Sequence, residues 1–371
     1  MGGIQRHSAM LFRSLLAKGV SVDLYHTAYE EPAISDAKSL KGFSSSTLSS
    51  VHNEYVDYPR RGRYPGHYIV DSRAYSTAIL DRIKKTDNYD FIYAQGITGL
   101  AIIESKLKGS RLPPVGVNCH GYEMYQRAAG FRAKAEHILL RPAFKYVTQN
   151  ADYVFSFSGE IRRIVEARLG VHENQIIELP NAIESCWIVE RPRPRVRRLC
   201  FVYVGRYERR KGIEEINQAI LTMNESKLDF DFHFIGPIPE VKQVQSANVV
   251  YHGAVFEEHS LKDIYDHCDV LVCPSYSEGM PTVILEAMAR GLAVVATDVG
   301  AVAELVDESN GVLIERPSSA RLLRALVEMY ELDDALLSRK KAESLNRVAS
   351  YTWDEMVERL IEKLSSKLAK I

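Results

Sequence analysis

Short apolar runs alternate with stretches of helical periodicity along most of the chain. In the first half, the runs DFIYA, PVGVNC, DYVFSFS and QIIEL predict strands, and the stretches 97–107, 131–150 and 160–169 between them have helical spacing. In the second half, LCFVYV, DFHFIG, VVYHG, DVLVC and AVVAT predict strands. Because strands alternate with helices, we expect right-handed βαβ units and a parallel sheet in each half.

The two ends of the chain and residues 28–70 differ from this regular pattern. A helical pattern begins almost at residue 1 and ends near Gly19, and VSVDLYH then predicts a strand. Ser, Gly and Pro interrupt residues 28–70 so often that we expect loops there. The last stretch, TWDEMVERLIEKLSSKLAKI, predicts a helix that begins at Trp353.

Size, composition and charge narrow the class of protein. A chain of 371 residues can form two domains, and 46% hydrophobic and 26% charged residues are ordinary for a globular protein. A net charge of −1 argues against a general nucleic-acid binder. Because we find neither a membrane-spanning apolar run nor a signal peptide, we expect a cytoplasmic protein. Any membrane contact would be peripheral, at the inner face of the cytoplasmic membrane.

Two further kinds of chemistry are disfavoured by spacing. The five cysteines include no C-x-x-C pair, which argues against a zinc site, and we expect them to be reduced thiols. Several lie in apolar runs, where a cysteine is usually a small buried hydrophobe. The chain has no G-x-G-x-x-G motif after a strand with an acidic partner downstream, which argues against an oxidoreductase.

One stretch, PSYSEGMPTVILEAMARG at residues 274–291, joins the strand DVLVC to a helix predicted to begin at about Thr282. A loop between the carboxyl end of a strand and a helix N-terminus is where α/β sheets bind ligands. We expect the backbone N–H groups of Gly279, Met280 and Thr282 to be unpaired there, so that the helix dipole favours an anion. Pro281 suits the first turn because it has no N–H group.

Two carboxylates flank this predicted anion site, Glu278 in the loop and Glu286 one turn inside the helix. Acids beside an anion are costly unless they have another task, such as accepting hydrogen bonds from sugar hydroxyls. One carboxylate can accept from two adjacent hydroxyls, so Glu286 would suit a nucleotide ribose and Glu278 a hexose. Two solvated acids near a helix end are the alternative.

The frame P-S-x-x-E-G-x-P-x-x-x-L-E-A-M-A-x-G around these acids resembles the E-x7-E motif of retaining glycosyltransferase family 4. The resemblance implies the GT-B fold, an α/β architecture in which two Rossmann-like domains with parallel sheets face each other across a cleft. It also implies that Glu278 lies by the donor sugar and that Glu286 binds the ribose.

A second pair of candidate residues follows the strand LCFVYV, in the segment GRYERRKG. The family has a G-R-x4-K-G spacing here, and the resemblance implies that Arg206 and Lys211, after Gly205, clamp the donor's diphosphate. Cations fixed beside a departing diphosphate stabilise the transition state more than the ground state. Both are therefore candidate catalytic residues, and we expect neither a metal ion nor another cofactor. Loose basic residues at the surface are the alternative.

Three more positions complete the candidate site. By the resemblance, His120 after the strand PVGVNC contacts the donor sugar and is catalytic together with Glu278, Arg206 and Lys211. A neutral imidazole suits this role because it offers one donor and one acceptor. Gly236, in the turn after DFHFIG, should line the nucleotide pocket, and Gly3 would lie near the diphosphate. A structural histidine and a flexible glycine-rich start are the alternatives.

The family pattern divides the chain into a first, acceptor-binding domain at residues 1–184, a linker at 185–198, a nucleotide-sugar-binding domain at 199–352 and a helix at 353–371 that returns to the first domain. The linker contains RPRPRVRR, whose prolines and like charges favour an extended segment over an RNA-binding one. Ala182 stands just before the linker, where the family usually has glycine, which matters only if this position needs a positive φ.

In the family a first strand precedes the Gly-Gly loop, and this chain lacks that strand. We expect the sequence upstream of residue 1 to encode a short apolar strand, because a missing central strand leaves an open edge and an unfilled core. An in-frame stop codon just upstream, together with a stable and active protein, would contradict this expectation.

Two basic segments are candidates for contact with lipid headgroups. The helix at 131–150 combines four basic residues and one acid with large apolar residues, which suits either a membrane surface or packing against the sheet. Pro142 should kink or split it. The RRGR cluster at 60–63 could hold acceptor phosphates or headgroups, although a solvated loop is the stronger interpretation.

Together these features predict a retaining glycosyltransferase that moves a hexose from a nucleotide-diphospho-sugar to a glycan or lipid-linked acceptor. By family habit, the setting is bacterial polysaccharide or lipopolysaccharide assembly. One alternative is an epimerase or hydrolase of the same architecture, which would act on the donor alone. The other is a degenerate nucleotide-sugar-binding protein.

Overall fold

The structure is a computed structural model that describes residues 3–27, 51–59, 62, 64–86 and 89–369. Nearly every apolar run predicted as a strand forms one. The helices and strands of the first half, in chain order, are α1 (Gly3–Ala17), β1 (Val22–His26), β2 (Val51–Tyr55), α2 (His67–Ile83), β3 (Ile92–Gln95), α3 (Leu100–Leu107), β4 (Val115–Asn118), α4 (Phe131–Asn150), β5 (Tyr153–Ser156), α5 (Gly159–Arg163) and β6 (Ile176–Glu178).

The strands of the first half pair in parallel, as the alternation predicts. β1 pairs with β2, and β3, β4, β5 and β6 form a separate four-stranded sheet in that order. The expectation that residues 28–70 are loops throughout is wrong at β2 and at the beginning of α2. The polar segment VHNEY becomes a strand because β1 offers it an edge to pair with, a tertiary effect that outweighs local propensity. Residues 28–50 and the arginines Arg60, Arg61 and Arg63 lie outside the described residues.

The second half follows the same alternation of strands and helices. Its elements are β7 (Leu199–Val204), α6 (Ile213–Glu225), β8 (Phe230–Ile235), β9 (Val249–Tyr251), α7 (Glu258–Asp266), β10 (Val270–Cys273), α8 (Thr282–Ala289), β11 (Ala293–Thr297), β12 (Gly311–Ile314), α9 (Ser319–Tyr330), α10 (Asp334–Val348) and α11 (Trp353–Leu368).

One continuous parallel sheet organises the second half, with the strand order β12-β11-β10-β7-β8-β9. Every residue of β10 and β11 is buried, as expected for a parallel sheet that is covered on both faces. The predicted α/β class, with parallel sheets in both halves, is therefore confirmed. The carboxyl ends of β7, β8 and β10 carry the loops in which the sequence places the donor site.

The last helix, α11, packs against the first half of the chain. Trp353, Met356 and Val357 share a buried apolar cluster with Leu11 of α1 and Phe155 of β5. Burial of this helical face joins the end of the chain to its beginning. The packing agrees with the expected return of the last helix.

Two expectations concern single residues of the first half, Pro142 and Ala182. Pro142 lies inside α4, which remains one helix over Phe131–Asn150, so the alternative that this helix is split is wrong. Ala182 is absent from the described non-glycine residues with positive φ, so an alanine is not strained there. The domain boundaries at residues 184, 198 and 352 stay predictions.

Candidate active site

The loop between β10 and α8 lies at the carboxyl edge of the second sheet. α8 begins at Thr282, as predicted, and Pro281 is its N-cap residue, with a φ of −67°. No side chain caps this helix start. The Ile284 amide donates to Pro281 O at 3.1 Å, and the amides before it in the first turn are available to an acceptor that enters. Such a helix start attracts anions through these amides and through the helix dipole.

Glu278 in this loop is buried and surrounded by donors. Lys211 Nζ donates to Glu278 Oε1 at 2.6 Å, and Ser275 Oγ donates to the same oxygen at 2.7 Å. Arg210 Nη1 lies 3.8 Å from Glu278 Oε2. Burial alone would raise the pKa of Glu278, but the charges of Lys211 and Arg210 outweigh burial and hold this pKa below its usual value. The carboxylate is therefore ionised at neutral pH.

The two predicted clamp residues have different surroundings. Lys211 is paired with the buried carboxylate of Glu278. Burial would lower the pKa of Lys211, but the charge of this carboxylate raises that pKa above its usual value. The side chain of Arg206 is 72% exposed and pairs with Glu208 at 2.9 Å. Arg210, which the sequence analysis did not single out, is less exposed than Arg206 and also pairs with Glu208 at 2.9 Å. The diphosphate clamp stays a prediction, and Arg210 joins it as a candidate.

Glu286 in α8 is buried beside a different set of partners. Arg6 Nη1 of α1 donates to Glu286 Oε1 at 2.7 Å, and Tyr265 Oη donates to Oε2 at 3.1 Å. The Arg6 guanidinium also lies over the Trp187 ring, 5.1 Å from its centroid. Burial raises the pKa of Glu286, and Arg6 and Tyr265 lower it too little to restore the usual value.

His120 lies just after β4, and its backbone is left-handed with a φ of 57°. Its Nε2 hydrogen-bonds Gln95 Oε1. Because that oxygen accepts, Nε2 carries the proton and Nδ1 remains an acceptor. Burial, reinforced by the nearby His7, lowers the pKa of His120 well below its usual value. The imidazole is therefore neutral at physiological pH and can orient a hydroxyl group, as the sequence analysis requires of it.

His7 of α1 is a neighbour that the sequence analysis missed. Its ring centroid lies 5.0 Å from that of His120, and its Nδ1 is 2.7 Å from Asn181 Oδ1. Burial lowers the pKa of His7 to about 4, although the Asn181 hydrogen bond opposes this. Two neutral imidazoles thus lie edge to face beside the loop of the second half.

The two halves of the chain meet at glycines in this region. A Cβ atom placed on Gly279 would lie 2.2 Å from His120 O, and one on Gly121 would lie 3.1 Å from Gly279 N. On the other side of the loop, a Cβ atom on Gly300 would lie 2.2 Å from Glu278 O. Side chains at 279 and 300 would therefore collide with backbone, so Gly279 permits the close approach of the two halves, and Gly300 permits the close approach of two loops within the second half.

Polar contacts reinforce this meeting of the halves. Glu278 N donates to Gln126 Oε1 at 3.2 Å, and Gln126 Nε2 donates back to Glu278 O. Asn181 Nδ2 donates to the carbonyl of Met280 at 2.6 Å. The loop that holds Glu278 is thus fixed by side chains of the first half as well as by its own strand and helix.

The remaining predicted donor residues are glycines at strand ends or at the helix start. Gly205 follows β7, and its N–H donates to Ile235 O at 2.9 Å. A Cβ atom on Gly236, which follows β8, would lie 2.0 Å from Gly205 O. These two glycines therefore let the ends of neighbouring strands touch. Gly3 is the first residue of α1. A direct donor contact by any of the three stays a prediction.

Comparison with known proteins identifies the family of this chain. A sequence profile described as Glycosyltransferase Family 4 matches residues 1–185, and one described as Glycosyl transferases group 1 matches residues 198–332. The two matches follow each other along the chain and together include most of its residues. The chain belongs to glycosyltransferase family 4. The family that the E-x7-E motif suggested is therefore confirmed.

A curated relative of this family 4 chain is the putative teichuronic acid biosynthesis glycosyltransferase TuaC of Bacillus subtilis. It is 28% identical over 70% of this chain, and the match covers 66% of TuaC, just under two thirds of its length.

Two solved structures have the same fold. Sucrose-phosphate synthase of Thermosynechococcus elongatus is 19% identical, with a TM-score of 0.79 over 100% of this chain and 94% of its own. Anabaena HepE in complex with UDP-glucose is 16% identical, with a TM-score of 0.68 over 99% and 96%. The GT-B fold is thereby confirmed.

The family 4 motif identifies the two acids but not their partners. Arg6 and Glu286 are separated by 280 positions, and Gln126 and Glu278 by 152. His7 could have been predicted as a site residue, since it follows the Gly-Gly start of a helix that the family places near the donor. Arg210 could also have been predicted, because it precedes Lys211 in the same basic turn.

Two expected absences concern metals and membranes. Among the described residues, the one cluster of three metal-ligating side chains is Cys200, His233 and Cys268, which contains none of the predicted donor residues. Across those same parts of this family 4 chain, we find no helix that combines the length and the apolar character needed to cross a bilayer.

Proposed function

We propose that this chain is a retaining hexosyltransferase, which moves a hexose from a nucleotide-diphospho-sugar to a hydroxyl of a glycan or lipid-linked acceptor. The setting would be bacterial polysaccharide or glycolipid assembly. The assignment of TuaC to teichuronic acid biosynthesis and the complex of HepE with UDP-glucose support this choice of acceptor and donor class.

The observation that carries the proposal is the surroundings of Glu278. An ionised carboxylate and an open helix start share one loop, two cations reach that loop from the turn after β7, and the neutral His120 lies beside it in the other half of the chain. Cations and helix amides suit a diphosphate, whereas a carboxylate and an imidazole suit sugar hydroxyls. A nucleotide-diphospho-sugar requires both kinds of group side by side.

Each residue then has a defined task. Lys211 and Arg210 would shift from Glu278 to the diphosphate, with Arg206 turning in from the surface. Glu278 would then accept hydrogen bonds from sugar hydroxyls. Glu286 would lose its hydrogen bond from Arg6 and accept from the ribose hydroxyls instead. As the glycosidic bond breaks, negative charge grows on the departing diphosphate, and preset cations and amides stabilise that charge.

Retention would follow from attack on the same face from which the diphosphate leaves. A diphosphate oxygen would accept the proton of the acceptor hydroxyl, so no protein nucleophile is needed. His120 would orient a sugar hydroxyl through its free Nδ1. The close fit of the two halves would exclude the water that otherwise hydrolyses the donor.

The test is a panel of UDP-, GDP- and ADP-hexoses, first by thermal shift and then by transfer assay. A bound donor at 100 times its Kd should add about 2.7 kcal/mol of stability. Transfer should require an acceptor, should give a product with the donor's anomeric configuration, and should survive EDTA, because protein cations replace the divalent metal.

Donor consumption without any acceptor would instead indicate an epimerase or hydrolase. Complete loss of transfer in EDTA, restored by Mn²⁺, would contradict the metal-free mechanism.

We also propose that α4 contacts an anionic membrane surface, where a lipid-linked acceptor would be found. Phe131 is 94% exposed and Ile138 is 57% exposed on this helix. Arg132 and Lys134 lie in the same helix and supply positive charge. Exposed apolar residues next to basic ones are typical of helices that lie in a membrane interface.

A flotation assay with liposomes that contain anionic lipid tests this contact. Wild-type protein should float with the vesicles, and the double reversal Arg132→Glu/Lys134→Glu should abolish flotation, because it repels the anionic surface. The matched control is Arg324→Glu, a charge reversal at an exposed position of α9. Equal flotation of wild-type and doubly reversed protein would contradict the proposed contact.

A further inference from the structure

A cluster of side chains with metal-ligand chemistry lies on the sheet of the second half. Cys200 Sγ is 3.4 Å from Cys268 Sγ, and Cys268 Sγ is 3.8 Å from His233 Nδ1. One ligand atom from each of these three residues lies within 4.8 Å of the other two. His252 Nε2 lies 3.3 Å from the same His233 Nδ1. Three potential ligands therefore lie around one point of the sheet, and a fourth, His252, adjoins them through His233.

The topology of the sheet brings these residues together, although they are far apart in the sequence. β10, β7 and β8 are neighbours in the strand order. Cys200 lies in β7, two positions before Val202, and Val202 pairs directly with His233 of β8. Residues two apart on a strand share a face, and so do directly paired residues, so Cys200 and His233 face the same side. Cys268 comes just before β10, beside the start of β7.

Two of the three ligand separations are close to those of a tetrahedral zinc ion, and the third is below 4.8 Å. Zinc binds sulfur at about 2.3 Å and nitrogen at about 2.0 Å, so a tetrahedral site separates two sulfurs by about 3.8 Å and sulfur from nitrogen by about 3.5 Å. The observed separations of 3.4 Å and 3.8 Å each differ from these values by a few tenths of an ångström. Small side-chain adjustments would therefore complete the geometry.

We propose that Cys200, Cys268 and His233 bind one Zn²⁺ ion, with His252 as the nearest candidate for the fourth ligand. Thiolate and imidazole are soft or borderline ligands, which favour zinc over the hard ions Mg²⁺ and Mn²⁺. This site is separate from the proposed transfer chemistry and uses none of its residues.

Charge balance supports an ion at this position. The two cysteines are buried, with 6% and 3% of their surfaces exposed. Two buried thiolates would be costly alone, but together with Zn²⁺ and a neutral imidazole they carry no net charge. The nearby Asp269 does not upset this balance, because it is paired with Lys341 at 2.9 Å.

The site would have a structural role. Cys200 is near the amino end of β7 and Cys268 precedes β10, whereas Lys211 and Glu278 follow the carboxyl ends of these same strands. The ion would therefore cross-link three neighbouring strands on one face of the sheet, through the amino ends of β7 and β10 and the middle of β8. Its removal should lower the stability of the second half without removing any group that touches the donor.

Zinc titration of reduced, metal-free wild-type protein, in competition with a chromophoric chelator, tests the site. We expect one ion per chain, and excess zinc should raise the melting temperature by roughly 5–10 °C. Cobalt substituted at the same site should give thiolate-to-metal charge-transfer bands. Zinc should also protect Cys200 and Cys268 from alkylation, read by peptide mass spectrometry, and this readout needs no variant.

The variants Cys200→Ser and Cys268→Ser should each weaken zinc binding more than about 100-fold, because even an outer-shell partner is worth about 10- to 100-fold. Cys186→Ser is the matched control, since this cysteine is exposed and should leave binding unchanged. Absence of stoichiometric zinc binding by the wild type would overturn the proposal. So would binding that disappears only in Cys186→Ser, or alkylation of Cys200 and Cys268 at rates that zinc does not change.

Discussion

Glu278 and Glu286 lie eight positions apart on one loop and helix, and both are buried, yet the pKa values of their carboxyl groups shift in opposite directions. Two cations of the second half lower the pKa of Glu278 by more than burial raises it. The single cation paired with Glu286 among the described residues is Arg6, whose side chain is 31% exposed, and it lowers the pKa of Glu286 by less than burial raises it. The comparison teaches that the motif fixes where two acids stand, while residues from distant segments decide how readily each one ionises.

The largest expected effect comes from removing the cation on the Glu278 side. Lys211→Ala should lower kcat for hexosyl transfer by about 100- to 1,000-fold, as the loss of a preset donor to a growing negative charge does in other enzymes. Lys211→Arg keeps a positive charge and should lose less. The measurement is a steady-state transfer assay with the donor chosen by thermal shift.

Arg324→Ala serves as the control for that assay, because this arginine is exposed on α9 and is none of the predicted donor residues. The double variant Arg206→Ala/Lys211→Ala should be at least as impaired as Lys211→Ala. Transfer at the wild-type rate by the double variant would refute the diphosphate clamp, and with it the importance of the Glu278 side.

A smaller pair of effects, unequal in size, should appear in the free energy of unfolding at neutral pH. Glu278→Gln leaves Lys211 buried without its carboxylate, which should cost about 3 kcal/mol of unfolding free energy. Glu286→Gln should cost less than about 1 kcal/mol, because it removes a carboxylate that burial already disfavours and leaves Arg6 able to reach water. Urea unfolding at pH 7 measures both values.

Glu362→Gln, at an exposed position of α11, controls for the loss of a surface acid in these unfolding experiments. Equal losses for Glu278→Gln and Glu286→Gln would show that the two surroundings do not differ energetically. A larger loss for Glu286→Gln would reverse the comparison.

The smallest effect is a difference in pH dependence below neutrality. The pKa of Glu278 is lowered in the folded state, so its stabilising contribution is present above the usual value of 4.5 and is lost as the pH falls through the folded pKa. The pKa of Glu286 is raised, so its contribution is present below 4.5 and is lost as the pH rises through the folded pKa. The stability difference between wild type and each Gln variant, measured by urea unfolding from pH 4 upward, should therefore slope in opposite directions. Parallel slopes would contradict the assigned shifts.

Most of the fold could be predicted from the sequence, because local pattern and tertiary packing agree there. The helix predicted to begin at about Thr282 begins at Thr282, since the Pro281 start and the apolar spacing of α8 favour the same structure. β2 escaped prediction because VHNEY has no apolar alternation and becomes a strand only through pairing with β1.

The candidate site was predictable only where a motif carries it. Glu278, Glu286 and Lys211 stand in recognisable frames, and the structure gives each of them charged partners. Arg6 and Tyr265 have no such frame, because their task is defined by a carboxylate far along the chain. Arg206 differs in another way: its frame is intact, but its side chain pairs with Glu208 at the surface.

The glycines at 121, 279 and 300 have a practical consequence for anyone who wishes to change the sugar that this protein uses. Even a single methyl group at 279 or 300 would have to occupy space already taken by a carbonyl oxygen. Libraries built for altered specificity should therefore leave these positions constant and vary the side chains around them. Working variants should carry their changes in the side chains that line the site and should keep these three glycines.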